Sequence, residues 1–168
     1  MIRDRVDRIQ DQWRLERPDL DPTPQGVIGR LHRLAARLHD ELVVVYREHG
    51  LGEGDFDVLA SLRRSGPHYE LPAGELAEHT MITTGGMSKR LDRLEKLGLV
   101  ERRVDAHDAR VRRVALTARG RSVIDAAFTD HLANEARLLA ELPPLDRLAL
   151  ERILRDWLVR AEGAADEN

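Results

Sequence analysis

Residues 84–117 read TGGMSKRLDRLEKLGLVERRVDAHDARVRRVALT, and this stretch decides the fold. Met87, Leu91, Leu94 and Leu97 recur at helical spacing, and Gly98 follows where a left-handed helix cap is expected. The spacing predicts a helix that ends at Gly98. Two β-branched runs, Leu99 to Val104 and Val111 to Leu116, flank the charged segment Asp105 to Arg110, the pattern of a small hairpin with a polar tip. On the helix, Gly85, Ser88, Lys89, Asp92, Arg93 and Lys96 fall outside the apolar arc. From Ser88 to Arg121 there are eleven basic and five acidic residues, a net +6 in a chain of net charge -3, which leaves -9 for the remainder. A basic segment on an acidic body suits a polyanion. A solvated, salt-bridged helix and hairpin is the other reading of the same charges.

Working outward, a short helix is expected from about Pro72 to His79, with Leu76 and Ala77 as its apolar contacts and Ile82 supporting the turn that follows. Phe56, Leu59, Ala60 and Leu62 predict another helix, closed by Ser65-Gly66-Pro67. Val27, Leu31, Leu34, Leu38, Leu42 and Val45 mark a long helix ending at Gly50, and Ile2, Val6, Ile9 and Trp13 mark an amphipathic first helix that stops at Arg17-Pro18. Two helices finish the chain, about Ala118 to Leu142 and Leu145 to Ala161, parted at Pro143-Pro144. The fold class expected is mainly α with a small β-hairpin wing: a winged helix-turn-helix lobe at 51–117 on a helical dimerisation region at 1–50 and 118–168. In that arrangement the helix from Met87 enters the DNA major groove and the hairpin reaches the adjacent minor groove. Gly85 and Gly86 weaken the helix but allow the backbone to approach DNA where free N–H groups favour phosphate.

Composition removes several alternatives. The chain has 168 residues and no cysteine, which excludes disulfide scaffolds, thiol nucleophiles and thiolate zinc sites. No apolar run approaches a membrane span, and the alternating charges of Met1 to Arg5 do not resemble a signal peptide, so a cytoplasmic protein is expected. Seven histidines form no His-x3-His pair; His32 and His39 are seven apart, which suits surface roles better than a metal site. No nucleophile elbow, Walker sequence, dinucleotide fingerprint or metalloprotease motif is present, and Ser88-Lys89 lies on an outward face. Neither enzyme activity, a cofactor nor a metal is expected.

Leu76-Ala77, Ile82-Thr83, Met87-Ser88, Leu91, Leu94-Glu95, Gly98-Leu99-Val100, Arg102-Arg103, Asp105, Asp108, Arg110, Leu116-Thr117 and Gly120 together resemble the signature of MarR-type transcriptional regulators. The resemblance implies an obligate homodimer that reads a pseudo-palindromic operator in double-stranded DNA, with Arg110 as the minor-groove residue. Ala109 stands where that family usually has a basic residue, which shifts part of the role to Arg112 or Arg113. The DNA-contacting set expected is Thr84, Gly85, Ser88, Lys89, Arg93, Arg102, Arg110, Arg112 and Arg113. The added first helix, with Trp13, Asp57 and Arg90, is similar to the urate-responsive subgroup. That likeness implies a repressor released by a small anion bound at those three residues, urate first, aconitate or citrate next. Arg90 lies inside the apolar arc of its helix and so needs a partner, for which Asp57 or a ligand anion is a candidate. A permanent Arg–carboxylate pair, and a Trp13 that only docks the first helix, are the structural alternatives. A DNA-binding protein without an effector, or a helical interaction protein, are the alternatives for the whole chain.

Overall fold

The computed structural model describes residues 3–80, 84–105, 108 and 110–163, so the expectations placed on Ile2, Ile82, Thr83 and Ala109 lie outside the described residues. The element order is α1 (Arg5–Glu16), α2 (Gln25–Glu48), α3 (Glu53–Arg63), β1 (Glu70–Pro72), α4 (Ala73–His79), α5 (Thr84–Lys96), β2 (Val100–Val104), β3 (Arg112–Leu116), α6 (Ala118–Leu139) and α7 (Pro144–Gly163). The structure is mainly helical with one small sheet, as expected. The sheet differs from a plain hairpin: β1 pairs antiparallel with β3 through Leu71↔Val114, giving the order β1-β3-β2. Three residues ending in proline carry no legible period. Pro72 is tolerated because β1 is an edge strand.

The core of the lobe is formed by Phe56, Leu59 and Leu62 of α3, Leu76 of α4, Met87, Leu91 and Leu94 of α5, Val100 and Val114 of the sheet, and Ile124 of α6. Leu97, expected in the same arc, is exposed instead. It follows the last residue of α5, where the chain turns into Gly98. Gly98 has φ 68°, the Leu99 N–H donates to Leu94 O at 3.0 Å, and the Gly98 N–H donates to Glu95 O at 2.9 Å. This is the paired hydrogen bonding of a Schellman cap.

The α5 exit and the α6 entry share one joint. Thr117 caps α6 by accepting from the Gly120 N–H at 2.9 Å, and its hydroxyl donates to Gly98 O at 2.7 Å. Gly120 packs directly on the Leu99 carbonyl.

At the other end, Asp4 and Asp7 form a reciprocal cap for α1. Both carboxylates also take Arg30 of α2, Asp4 at 2.8 and 3.2 Å and Asp7 at 2.8 Å. The Asp7 N–H and Arg30 together bring the exposed Asp4 carboxyl down to about 2. Val6 packs on Gly29, and Gln10 is buried because its amide donates to Pro22 O at 2.9 Å. Trp13 does not complete this buried stripe; it is 47% exposed.

Candidate nucleic-acid interface

Helix α5 is held on three sides. Its apolar side chains face the core, and its two polar flanks are clasped by ion pairs. On one flank Arg93 pairs with Asp55, whose side chain is 3% exposed, and Arg93 Nη2 donates to Gly50 O at 3.4 Å. Asp55 also caps α3 by accepting from the Gly52 N–H at 2.8 Å. On the other flank Arg102 of β2 pairs with Asp92 and lies 3.5 Å from Glu95.

Between these clasps Ser88 and Lys89 remain exposed. Thr84 and Gly85 begin the helix. In the wing, the Arg110 N–H donates to Asp108 Oδ1 at 2.9 Å and the Asp108 N–H to Asp105 Oδ1 at 3.2 Å. Arg110 and Arg112 are both exposed. Arg113 points elsewhere: it pairs with Asp105 and lies 3.4 Å from Glu70, fastening the wing to β1.

The nine residues expected to contact DNA therefore fall into two groups. Six of them, Thr84, Gly85, Ser88, Lys89, Arg110 and Arg112, lie at the start of α5, on its outward face or at the wing tip. Arg93, Arg102 and Arg113 are engaged by carboxylates of the same chain. Sequence reasoning missed Asp55 and Glu70. The Gly52-x-x-Asp55 spacing ahead of Phe56 was a readable capping signal, whereas Glu70 gave none.

The model of the MarR family matches residues 49–111, the segment that holds α3 to the wing. The chain is 34% identical over 149 residues to the HTH-type transcriptional regulator PecS of Dickeya dadantii, covering 89% of this chain and 90% of that one. The chain belongs to the MarR family. It is accordingly a DNA-binding transcriptional regulator from a family of dimeric, non-enzymatic proteins.

Among solved structures, Sco3205 of Streptomyces coelicolor, a MarR family transcriptional regulator in complex with DNA, superposes with a TM-score of 0.74 at 27% identity, covering 86% of this chain and 89% of that one. The Mycobacterium tuberculosis MarR family protein Rv2887 in complex with p-aminosalicylic acid superposes with a TM-score of 0.61 at 30% identity, covering 78% and 97%. No described helix of this MarR-family chain is long and apolar enough to cross a membrane, and the described residues hold no cluster suited to a metal ion.

The three residues expected to bind an effector are not gathered in one place within the protomer. Arg90 and Asp57 are near each other, but Arg90 lays its guanidinium over Gly54 instead of forming an ion pair with Asp57. Gly52, Gly54, Lys89 and Arg90 line a cleft of 540 Å³ between the start of α3 and α5. Trp13 lines a different cavity of 290 Å³, with Arg17, Leu20 and Pro22. Next to Asp57, the buried Tyr46 stacks on Phe56 with ring centroids 4.2 Å apart. Burial, with Asp57, Glu135 and Glu53 adding to it, pushes the Tyr46 hydroxyl up to about 12.

Burial, reinforced by Glu53, raises the Asp57 carboxyl above its ordinary value against the pull of Arg90, Arg64 and His131. A carboxyl raised in the folded state favours folding while protonated, and that contribution disappears as pH rises through its folded-state value. Asp57→Asn, uncharged at every pH, should melt modestly above the parent near neutral pH. The gap should close below the ordinary carboxylate range. A thermal melt in which the variant is equal or less stable at neutral pH would contradict this.

Proposed function

We propose that this MarR-family regulator is a homodimeric repressor that reads a pseudo-palindromic operator and is released by a small anion. Ser88 and Lys89, with the backbone at Thr84 and Gly85, read the major groove. Arg110 and Arg112 serve the wing contact in the minor groove. The observation that carries the reading is an exposed basic face at α5 and the wing tip, held in place by ion pairs on both flanks. The similarity to a relative crystallised with DNA supports it. The repressor sense is supported by Rv2887, an HTH-type transcriptional repressor of Mycobacterium tuberculosis that is 32% identical over 134 residues.

Operator affinity should fall by about a thousandfold or more between roughly 50 and 200 mM salt, as for a dimer that engages six or more phosphates. Among wing positions, Arg110→Glu should weaken binding most. Fluorescence anisotropy on intergenic DNA beside the protein's own gene checks both, and wild-type affinity for Arg110→Glu at moderate salt would remove the wing assignment.

The effector belongs at the cleft where Arg90 meets the start of α3. A guanidinium there can take a carboxylate or an anionic purine. The Rv2887 complexes with p-aminosalicylic acid and salicylic acid support an aromatic carboxylate class for proteins of this fold. Urate is the first candidate and aconitate or citrate the next, with Asp57 beside Arg90 and Trp13 a contributor through the dimer. Binding releases DNA by favouring the α5 pose that does not fit the groove, and a few kcal/mol of differential affinity suffices.

Each anion is titrated against the protein–operator complex, with Arg90→Gln and Trp13→Phe variants that still dimerise. The expected result is release of DNA by at least one anion and a response blunted in Arg90→Gln. If no anion acts at millimolar concentration, or if Arg90→Gln responds like the parent, Arg90 is a structural residue of the α3–α5 joint.

A further inference from the structure

We propose that Arg93 and Asp55 form a latch that sets the angle of the DNA-reading helix, making Arg93 a positioning residue for operator binding rather than a phosphate contact. The inference rests on the family's DNA binding; Asp55 and Arg93 also line the cleft proposed for the effector, so its test is made with no candidate anion added.

Along α5, at about 100° per residue, Gly85, Lys89 and Lys96 lie within roughly 40° of one another. Arg93 stands about 40° to one side of Lys89 and Asp92 about 60° to the other. A charge on that shoulder has two choices, the phosphate backbone or the protein. Arg93 takes the protein: Nη1 pairs with a buried carboxylate and Nη2 reaches Gly50 O at 3.4 Å.

The partner is what gives the pair its weight. Asp55 is 3% exposed, and apart from Arg93 its carboxylate accepts from the Gly52 N–H at 2.8 Å. Removing Arg93 leaves a buried anion with a capping N–H alone, a costly state. Gly50, Gly52 and Asp55 sit where α2 gives way to α3. The latch therefore ties the reading helix to the junction with the helical body. Arg90, one turn away on α5, rests on Gly54 of the same corner. Across the helix, Arg102 on Asp92 holds the opposite flank. With both flanks tied, rotation of α5 about its own axis is restrained, and Ser88 and Lys89 point where the groove requires.

The test uses the full-length dimer and the tightest duplex selected from a randomised library, with affinity measured across a salt series for Arg93→Gln, Asp55→Asn and the double variant. In Asp55→Asn the side-chain amide oxygen can still accept from the Gly52 N–H, so α3 keeps its cap. Each single variant should lose about tenfold in affinity, and the double variant should lose no more than the worse single, as contacting residues in one network are coupled. The slope of log affinity against log salt should stay that of the parent, because every phosphate remains neutralised as before.

A phosphate contact at Arg93 predicts otherwise: a slope smaller in magnitude by about 0.9 for each phosphate no longer neutralised, with Asp55→Asn binding as well as or better than the parent. Either of those outcomes overturns the latch. So does a pair that lowers the melting temperature while leaving affinity of the folded dimer unchanged, which would make it structural only.

Discussion

Gly120→Ala should destabilise the protein by about 3 kcal/mol or more, the upper end of what overpacking costs. The added Cβ would stand 1.9 Å from the Leu99 carbonyl oxygen and 2.8 Å from its carbon, both backbone atoms that no rotamer change can move. Propensity argues the other way, since alanine is favoured over glycine inside a helix by about 1 kcal/mol. The sign of the measured change therefore decides whether close approach or propensity governs this site. Leu99 leads into β2, and Thr117 uses the same carbonyl and the neighbouring Gly98 carbonyl to start α6. Separating α6 from this turn would tilt the wing as well. Urea unfolding is the measurement, and a midpoint equal to or above the parent's would show that the joint gives way without cost.

The second large effect concerns α7. This helix of 20 residues has no buried residue in the protomer, yet Leu145, Leu148, Ile153, Leu154, Trp157, Leu158 and Val159 lie along it exposed. A single chain cannot keep such a surface in water without association. Leu154 and Leu158 are four apart and share a face. Placing aspartate at both removes roughly 1.5–3 kcal/mol of apolar burial for each side chain, counted twice in a symmetric pair. Leu154→Asp/Leu158→Asp should therefore run as a monomer or an unfolded chain in light scattering at micromolar concentration. Its operator affinity should fall by more than 100-fold, since one winged lobe cannot span two half-sites. A variant that stays dimeric and binds operator like the parent would remove α7 from the interface.

Much of the lobe was readable because its signals are local. The apolar spacing from Met87, the glycine at 98 and the two β-branched runs each act within a few residues, and α5, its Schellman cap and the β2–β3 pair follow from them. The third strand was not readable, since Glu70–Pro72 becomes a strand only where β3 offers it a free edge. Periodicity also overstated Trp13. It states which residues share a face, and the neighbour decides how far along that face burial extends. On α1 the cover comes from α2 and the Pro22–Thr23 turn, which bury Val6 and Gln10.

By itself the sequence determined the helix-rich fold and the position of α5 and the hairpin after it, because periodicity, capping and turn chemistry act over short spans; the family was legible separately, as a resemblance carried by motif residues. Only the tertiary structure decided which cations are held within the protein. Arg93 and Asp55 are 38 residues apart, and Arg113 and Glu70 are 43 apart. An arginine reads the same in sequence whether it faces a phosphate or a buried carboxylate. The fold assigns its role by bringing a carboxylate within reach of one guanidinium and leaving another at the surface.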